Sequence, residues 1–154
     1  MKIFIKESLN RFITVKYDNE YNEELEELEI DEYEAADQAE EIARKEGVRI
    51  LRNKELNDLL IDVAKKEIIG ASWISIDDNI FSFDIAIDSL YQGKGLATQL
   101  LDKLMSEYEF QEEMHDDLKI ELDVINPKLA QILKTKYGFK VLQKIGPDRV
   151  IMGL

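Results

Sequence analysis

The stretch from Ile80 to Tyr108 constrains this chain more than any other, because its hydrophobic period changes across a pair of glycines. IFSFDIAI is an apolar run rich in Ile and Phe, which predicts a strand, and after the glycines Leu and Met recur at helical spacing. The joint reads Gln92-Gly93-Lys94-Gly95-Leu96-Ala97. Two glycines free the backbone for a tight turn and bring bare N–H groups to a helix N-terminus, where orphan donors and the macrodipole favour an anion. The joint is therefore a candidate phosphate cradle. A P-loop would need Gly where Asp88 stands and Ser or Thr where Gly95 stands, so that reading fails. A dinucleotide fingerprint needs a third glycine early in a parallel unit, and what precedes this joint reads as antiparallel hairpins. The plain alternative is a strand–turn–helix joint that uses glycine for the turn alone.

The flanking segments set the fold class. At 154 residues the chain fits one domain, a size that buries about 68–70% of its unfolded surface. Ile3 and Ile5 alternate against Phe4, Ser8 to Arg11 reads as a turn, and FITVKYD follows, which predicts an opening hairpin. Asn19 to Glu34 is dominated by Glu, with Leu25 and Leu28 at helical spacing, and reads as a thin surface helix or a mobile loop. Tyr33 to Lys45 predicts a helix with an apolar stripe of Ala36, Ala39, Ile42 and Ala43, stopped by Gly47. VRILRN, LNDLLIDVA, EIIGASWISI and IFSFDIAI predict a meander of antiparallel strands. Gly70 inside a strand predicts a bulge or a close backbone approach, and Trp73 reads as core.

Behind the cradle, Leu96, Leu100, Leu101, Leu104, Met105 and Tyr108 make one broad apolar face, read as core rather than as a cofactor box. LKIELDVI alternates as a strand, and Asn126-Pro127 caps and opens a helix with Leu129, Ala130, Ile132, Leu133 and Tyr137 on its apolar face and Gly138 at its end. FKVLQKIG and RVIMGL close the chain as strands. The expected class is α/β of the α+β kind, with a mixed, mostly antiparallel central sheet flanked by helices.

Charge and composition exclude several functions. There is no Cys, and the single His115 sits in QEEMHDD, read as a solvated loop, so neither a thiolate nucleophile nor a Cys- or His-based metal site is expected. No apolar run approaches a membrane span and the charged start is unlike a signal peptide, which predicts a soluble cytoplasmic protein. A net charge of -13 argues against nucleic acid and anionic membranes as partners. The distribution says more: Asp18 to Glu46 holds 14 acidic and 2 basic residues, whereas Val124 to Pro147 holds no acid but carries Lys128, Lys134, Lys136, Lys140 and Lys144.

The cradle segment resembles the central motif of the GNAT superfamily of acyl-CoA-dependent N-acetyltransferases, a strand followed by Gln/Arg-x-x-Gly-x-Gly/Ala and a helix. Gln92, Gly95 and Ala97 fill the motif and Gly93 is a common extra glycine. NPKLAQILKTKYGFKVL resembles the family's last motif, with Ala130, Gly138 and Phe139 in register and Asn126 one residue early. The resemblance implies one GNAT-like acetyltransferase domain over residues 1–154, in which 80–139 bind acetyl-CoA and the divergent 1–50 face the acceptor. It implies that the backbone of Ile85, Ala86 and Ile87 pairs with pantetheine. Gln92, Gly93, Lys94, Gly95, Leu96, Ala97 and Thr98 would hold the pyrophosphate, and Asn126, Ala130 and Leu133 would line the cofactor from the later helix.

Where many members carry a Tyr four residues before the Gly of Gly-Phe, this chain has Lys134, and Tyr137 at helical spacing faces elsewhere. The activity implied is direct transfer, in a ternary complex, from acetyl-CoA as co-substrate to a primary amine, small-molecule or protein-borne. A cationic amine suits the acidic stretch. No metal is expected, and the protein is expected to be a monomer or homodimer. Asp84 is the ionisable side chain nearest the thioester strand, where partial burial would strengthen it as a base; alternatively it is a strand-edge carboxylate paired with a Lys. Lys134 is a candidate phosphate anchor or proton donor to the thiolate. The alternative function is a non-catalytic acyl-CoA-binding or protein-interaction module on the same fold.

Overall fold

The computed structural model describes residues 11–154. Its elements in chain order are β1 (Phe12–Lys16), α1 (Glu23–Glu27), α2 (Glu32–Lys45), β2 (Glu55–Asp62), β3 (Glu67–Asp77) and β4 (Ile80–Ile87), then a 3-10 turn (Ser89–Tyr91), α3 (Leu96–Met114), β5 (Lys119–Val124), α4 (Pro127–Tyr137), β6 (Lys140–Gly146) and β7 (Arg149–Gly153). The strands form a seven-stranded sheet in the order β1-β2-β3-β4-β5-β7-β6. β1–β2, β2–β3, β5–β7 and β6–β7 are antiparallel and β4–β5 is parallel, the mixed, mostly antiparallel class that the sequence predicts. The first strand of the expected opening hairpin, at Ile3 and Ile5, lies outside the described residues. Among those described, no helix is long and apolar enough to cross a membrane.

Two compact units divide the chain: residues up to Ile74 together with Asp84–Ser106, and Ser75–Phe83 together with Glu107–Leu154. In the first unit β2 is buried continuously from Asn57 to Asp62 because both its faces are covered. Leu59 and Ile61 join Val15, Trp73 and Ala86 in a cluster with Leu25 and Leu28 around α1 and with Ala35, Ala39, Ile42 and Ala43 of α2. Leu60 turns to the other face and packs with Ile69, Ile87, Tyr91, Leu96 and Leu100. Burying each such Leu or Ile is worth about 1.5–3 kcal/mol, so the short α1 is held by its two leucines rather than by helix propensity.

Two local expectations shift. The buried stripe of α2 runs through Ala35 rather than Ala36, which sits a helical step aside and is half-buried. VRILRN forms no strand: the N–H of Val48 donates to the Ala43 carbonyl at 2.8 Å, closing α2 after Gly47 (φ +73°), and Val48 and Ile50 pack on the α2-side cluster. The apolar alternation there is satisfied by packing instead of a ladder. Gly70 does permit a close approach, since a Cβ would lie 2.9 Å from the Ala86 carbonyl oxygen.

The second unit holds β5, β7 and β6, with Ile120, Leu122, Val124, Leu133, Phe139 and Met152 buried. Phe81 and Tyr108 meet ring to ring at 5.4 Å, and the Tyr108 hydroxyl donates to the Leu118 carbonyl at 3.2 Å. Helix α4 packs on β5. Its Asn126 cap accepts from the N–H of Lys128 at 2.9 Å and of Leu129 at 3.3 Å, and Gly138 ends it at φ +74°. β6 is an exposed edge strand with two register shifts, which twist its edge away from further pairing.

Candidate active site

In the first unit the end of β4, the 3-10 turn and the glycine loop are laid out in chain order before the N-terminus of α3. Gly93 and Gly95 have φ of +81° and +75°, left-handed values, and nothing lies within 4 Å of where either would carry a Cβ. Left-handed residues alternating with ordinary ones turn successive N–H groups into one concavity. Helix geometry leaves the N–H groups of Leu96 and Ala97 without intrahelical partners, and α3 has no acid in its first turn. An anion is the ligand this backbone is built to accept.

The loop is braced from the end of α2. The Gln92 side-chain amide donates to the Ile87 carbonyl at 2.9 Å and to Glu46 Oε1 at 3.2 Å, while Glu46 Oε2 accepts from the N–H of Ser89 at 3.1 Å. Asp88 caps the turn by accepting from the N–H of Leu90 at 3.0 Å, and Lys45 Nζ approaches the same carboxylate at 3.2 Å. Gln92 therefore acts as a strut between loop and strand. Sequence reading missed Glu46 and Lys45 as parts of the site; the one hint was that they close α2 with opposite charges.

β4 has two halves. Among the described residues its ladder with β5 comprises Ile80↔Lys119 and Phe81↔Ile120 only. The later half belongs to the first unit, where Ile85 and Ile87 join the α3-side cluster and Ala86 the α2-side one. Asp84 Oδ2 lies 3.0 Å from Lys54 Nζ, whose side chain is 8% exposed, so the carboxylate is paired with a lysine as the alternative reading had it.

Beside the loop, a buried carboxylate organises two rings. Asp62, fully buried, accepts from Arg11 Nε at 3.0 Å, Arg11 Nη2 at 2.8 Å and the Tyr91 hydroxyl at 3.0 Å. The Arg11 hydrogen bonds hold the Asp62 carboxyl below the usual carboxylate range against the opposing effect of burial, and burial together with Asp62 pushes the Tyr91 hydroxyl up.

In the second unit, Asn126 and Ala130 stand at the start of α4, Leu133 is fully buried, and Lys134, Lys128 and Lys136 are exposed. Lys136 Nζ lies 5.8 Å from the Tyr137 ring centre. His115, exposed past the end of α3, approaches the Gln111 carbonyl through Nδ1 at 3.0 Å.

The family profile described as an acetyltransferase (GNAT) domain matches residues 57–141. No curated protein sequence is significantly similar to the chain. Among solved structures, a GNAT-family acetyltransferase from Streptococcus pneumoniae superposes with TM-score 0.59 at 14% identity, covering 93% of this chain and 98% of that one. The ribosomal-protein-S18-alanine N-acetyltransferase of Escherichia coli gives 0.59 at 17% identity, over 93% and 92%. A phosphinothricin acetyltransferase from Sinorhizobium meliloti, solved in complex with AcCoA, gives 0.51 at 17% identity, over 80% and 69%.

Proposed function

Because the chain belongs to the GNAT acetyltransferase family, we propose that it transfers an acetyl group from acetyl-CoA directly to a primary amine, cationic in character, in a ternary complex. The observation that carries the reading is the left-handed Gly93/Gly95 loop at the N-terminus of α3, joined to the end of β4 by one 3-10 turn. The loop amides from Gln92 to Thr98 take the pyrophosphate, and the backbone of Ile85 to Ile87 takes the pantetheine arm and orients the thioester. Orientation of this kind supplies much of the acceleration in amide formation, so few reacting side chains are needed.

The acceptor must lose a proton before its nitrogen attacks the thioester carbonyl; the C–N bond then forms, the C–S bond breaks, and the thiolate takes up a proton. Asp84 accepts the amine's proton directly or through water, with Lys54 holding its carboxylate in place at 3.0 Å. Asn126 and Ala130 of α4 are the proposed cofactor contacts on that helix, Leu133 is fully buried and serves the core instead, and Lys134 with its neighbours supplies positive charge for the phosphates. The cationic acceptor is supported by the surface of α1 and α2. Glu23, Glu24 and Glu26 are exposed there, Glu27 is half-buried, and Tyr21 and Tyr33 are 62% and 74% exposed among the acids.

The test is release of free CoA from acetyl-CoA with a panel of polyamines, aminoglycosides, amino acids, and peptides with free N-termini or lysines. Turnover of at least one amine supports the reading. Binding of acetyl-CoA with no turnover of any would instead establish a non-catalytic acyl-CoA-binding module.

A further inference from the structure

Three cations converge on two aromatic rings beside the glycine loop, drawn from segments far apart in sequence. Lys94, between the two loop glycines, places Nζ 5.7 Å from the Tyr91 ring centre and 5.9 Å from that of Phe12. Lys65, in the turn between β2 and β3, places Nζ 6.0 Å from the Tyr91 ring, and the Arg11 guanidinium lies 5.2 Å from the Phe12 ring. The rings meet edge to face at 5.9 Å, and the buried Asp62 fixes both Tyr91 and Arg11. Asp62 neutralises Arg11, so among the described residues Lys94 and Lys65, which hydrogen-bonds the Tyr91 hydroxyl, bring net positive charge to this platform. Ring faces offset only part of the repulsion between two ammonium groups. Such a rigid, positively charged platform, in a chain of net charge -13, suits a compact polyanion beside the loop.

We infer that the Phe12–Tyr91 platform with Lys65 and Lys94 is the anchor for the 3′-phosphate of CoA, which makes it a determinant of selectivity for CoA over its 3′-dephospho form. The inference rests on the acetyl-CoA reading above. A phosphate monoester carries close to two negative charges at neutral pH, and Lys94 bridges the two anions because it belongs to both loop and platform. Lys65 stands outside the loop, so its contribution separates from pyrophosphate binding.

The test is calorimetric titration of the full chain with CoA and with 3′-dephospho-CoA, for wild type and for Lys65→Gln. Wild type is expected to prefer CoA by about 10-fold or more, the range of a charge-assisted contact. Lys65→Gln is expected to remove most of that preference by weakening CoA alone, with 3′-dephospho-CoA changed less than about 2-fold. Equal affinities of wild type for the two ligands would overturn the anchor and leave the acetyl-CoA reading standing. So would a Lys65→Gln variant that weakens both ligands alike, or neither. Binding of neither ligand by wild type would overturn the acetyl-CoA reading, and the anchor with it.

Discussion

At the scale of single residues, the charges that matter here are the paired ones. Asp62 is fully buried and held ionised by Arg11, so its folded value lies below that of an unfolded carboxyl, about 3.9. A group with a depressed folded value stabilises the fold above its unfolded value, and that contribution is lost as pH falls through the folded one. Asp62→Asn should therefore lower stability by about 1–3 kcal/mol at about pH 7, with the figure held down by the solvent-exposed side of Arg11. The gap between variant and wild type should narrow below about pH 4, as wild type loses its charge too. Denaturant unfolding at both pH values checks this; an unchanged gap would assign the loss to shape rather than charge. Lys134, by contrast, is exposed on α4. Lys134→Met is expected to raise the acetyl-CoA dissociation constant by up to about 5-fold, the range of an exposed ion pair, with kcat unchanged. A lower kcat at constant affinity would assign the side chain to the leaving thiolate.

At the scale of elements, the glycine loop is held at both ends. Gln92 ties it back to the Ile87 carbonyl, and Glu46 at the end of α2 grips both Gln92 and the N–H of Ser89. The acidic N-terminal half thereby positions a site whose backbone prefers anions, and it does so with a carboxylate already engaged by two donors. Gly95 is the element's weak point for ligand and its strong point for space. Its φ of +75° disfavours a side chain by about 1 kcal/mol, but nothing lies within 4 Å to clash. Gly95→Glu should remain folded, while a carboxylate in the concavity should weaken acetyl-CoA by about 100-fold or more, equivalent to two charge-assisted hydrogen bonds. Circular dichroism with calorimetry separates the two effects; near-native affinity in a folded variant would remove the loop from the site.

At the scale of the whole molecule, charge is segregated along the chain, with 14 acids over Asp18 to Glu46 and none from Val124 to Pro147. An acidic surface raises encounter rates with a polycation by roughly 10- to 1000-fold, and salt screens it over about 10 Å at 0.1 M. For a polycationic acceptor, kcat/KM should fall by about 10-fold between low and high salt, whereas a neutral-tailed amine should show little change. Initial rates across a salt series check it, and a flat profile for every amine would leave the Glu-rich helices as a solvated face.

What the sequence determined by itself is what depends on near neighbours. The change of period across Gly93 and Gly95, the Asn126-Pro127 start and Gly138 end of α4, and the close approach at Gly70 are all present as read, because each follows from φ, capping or spacing within a few residues. Asp84 was visible as a residue, but its Lys54 partner was not. The tertiary structure alone decided that VRILRN closes a helix instead of entering a ladder, and that Glu46 braces Gln92 from 46 residues away. It also decided that Arg11 and Asp62, 51 residues apart, join Tyr91, and that Lys65 and Lys94 share its ring. Such pairings depend on strand register and on which helix covers which face. They are set by burying two apolar clusters at once, and no local pattern encodes that global condition.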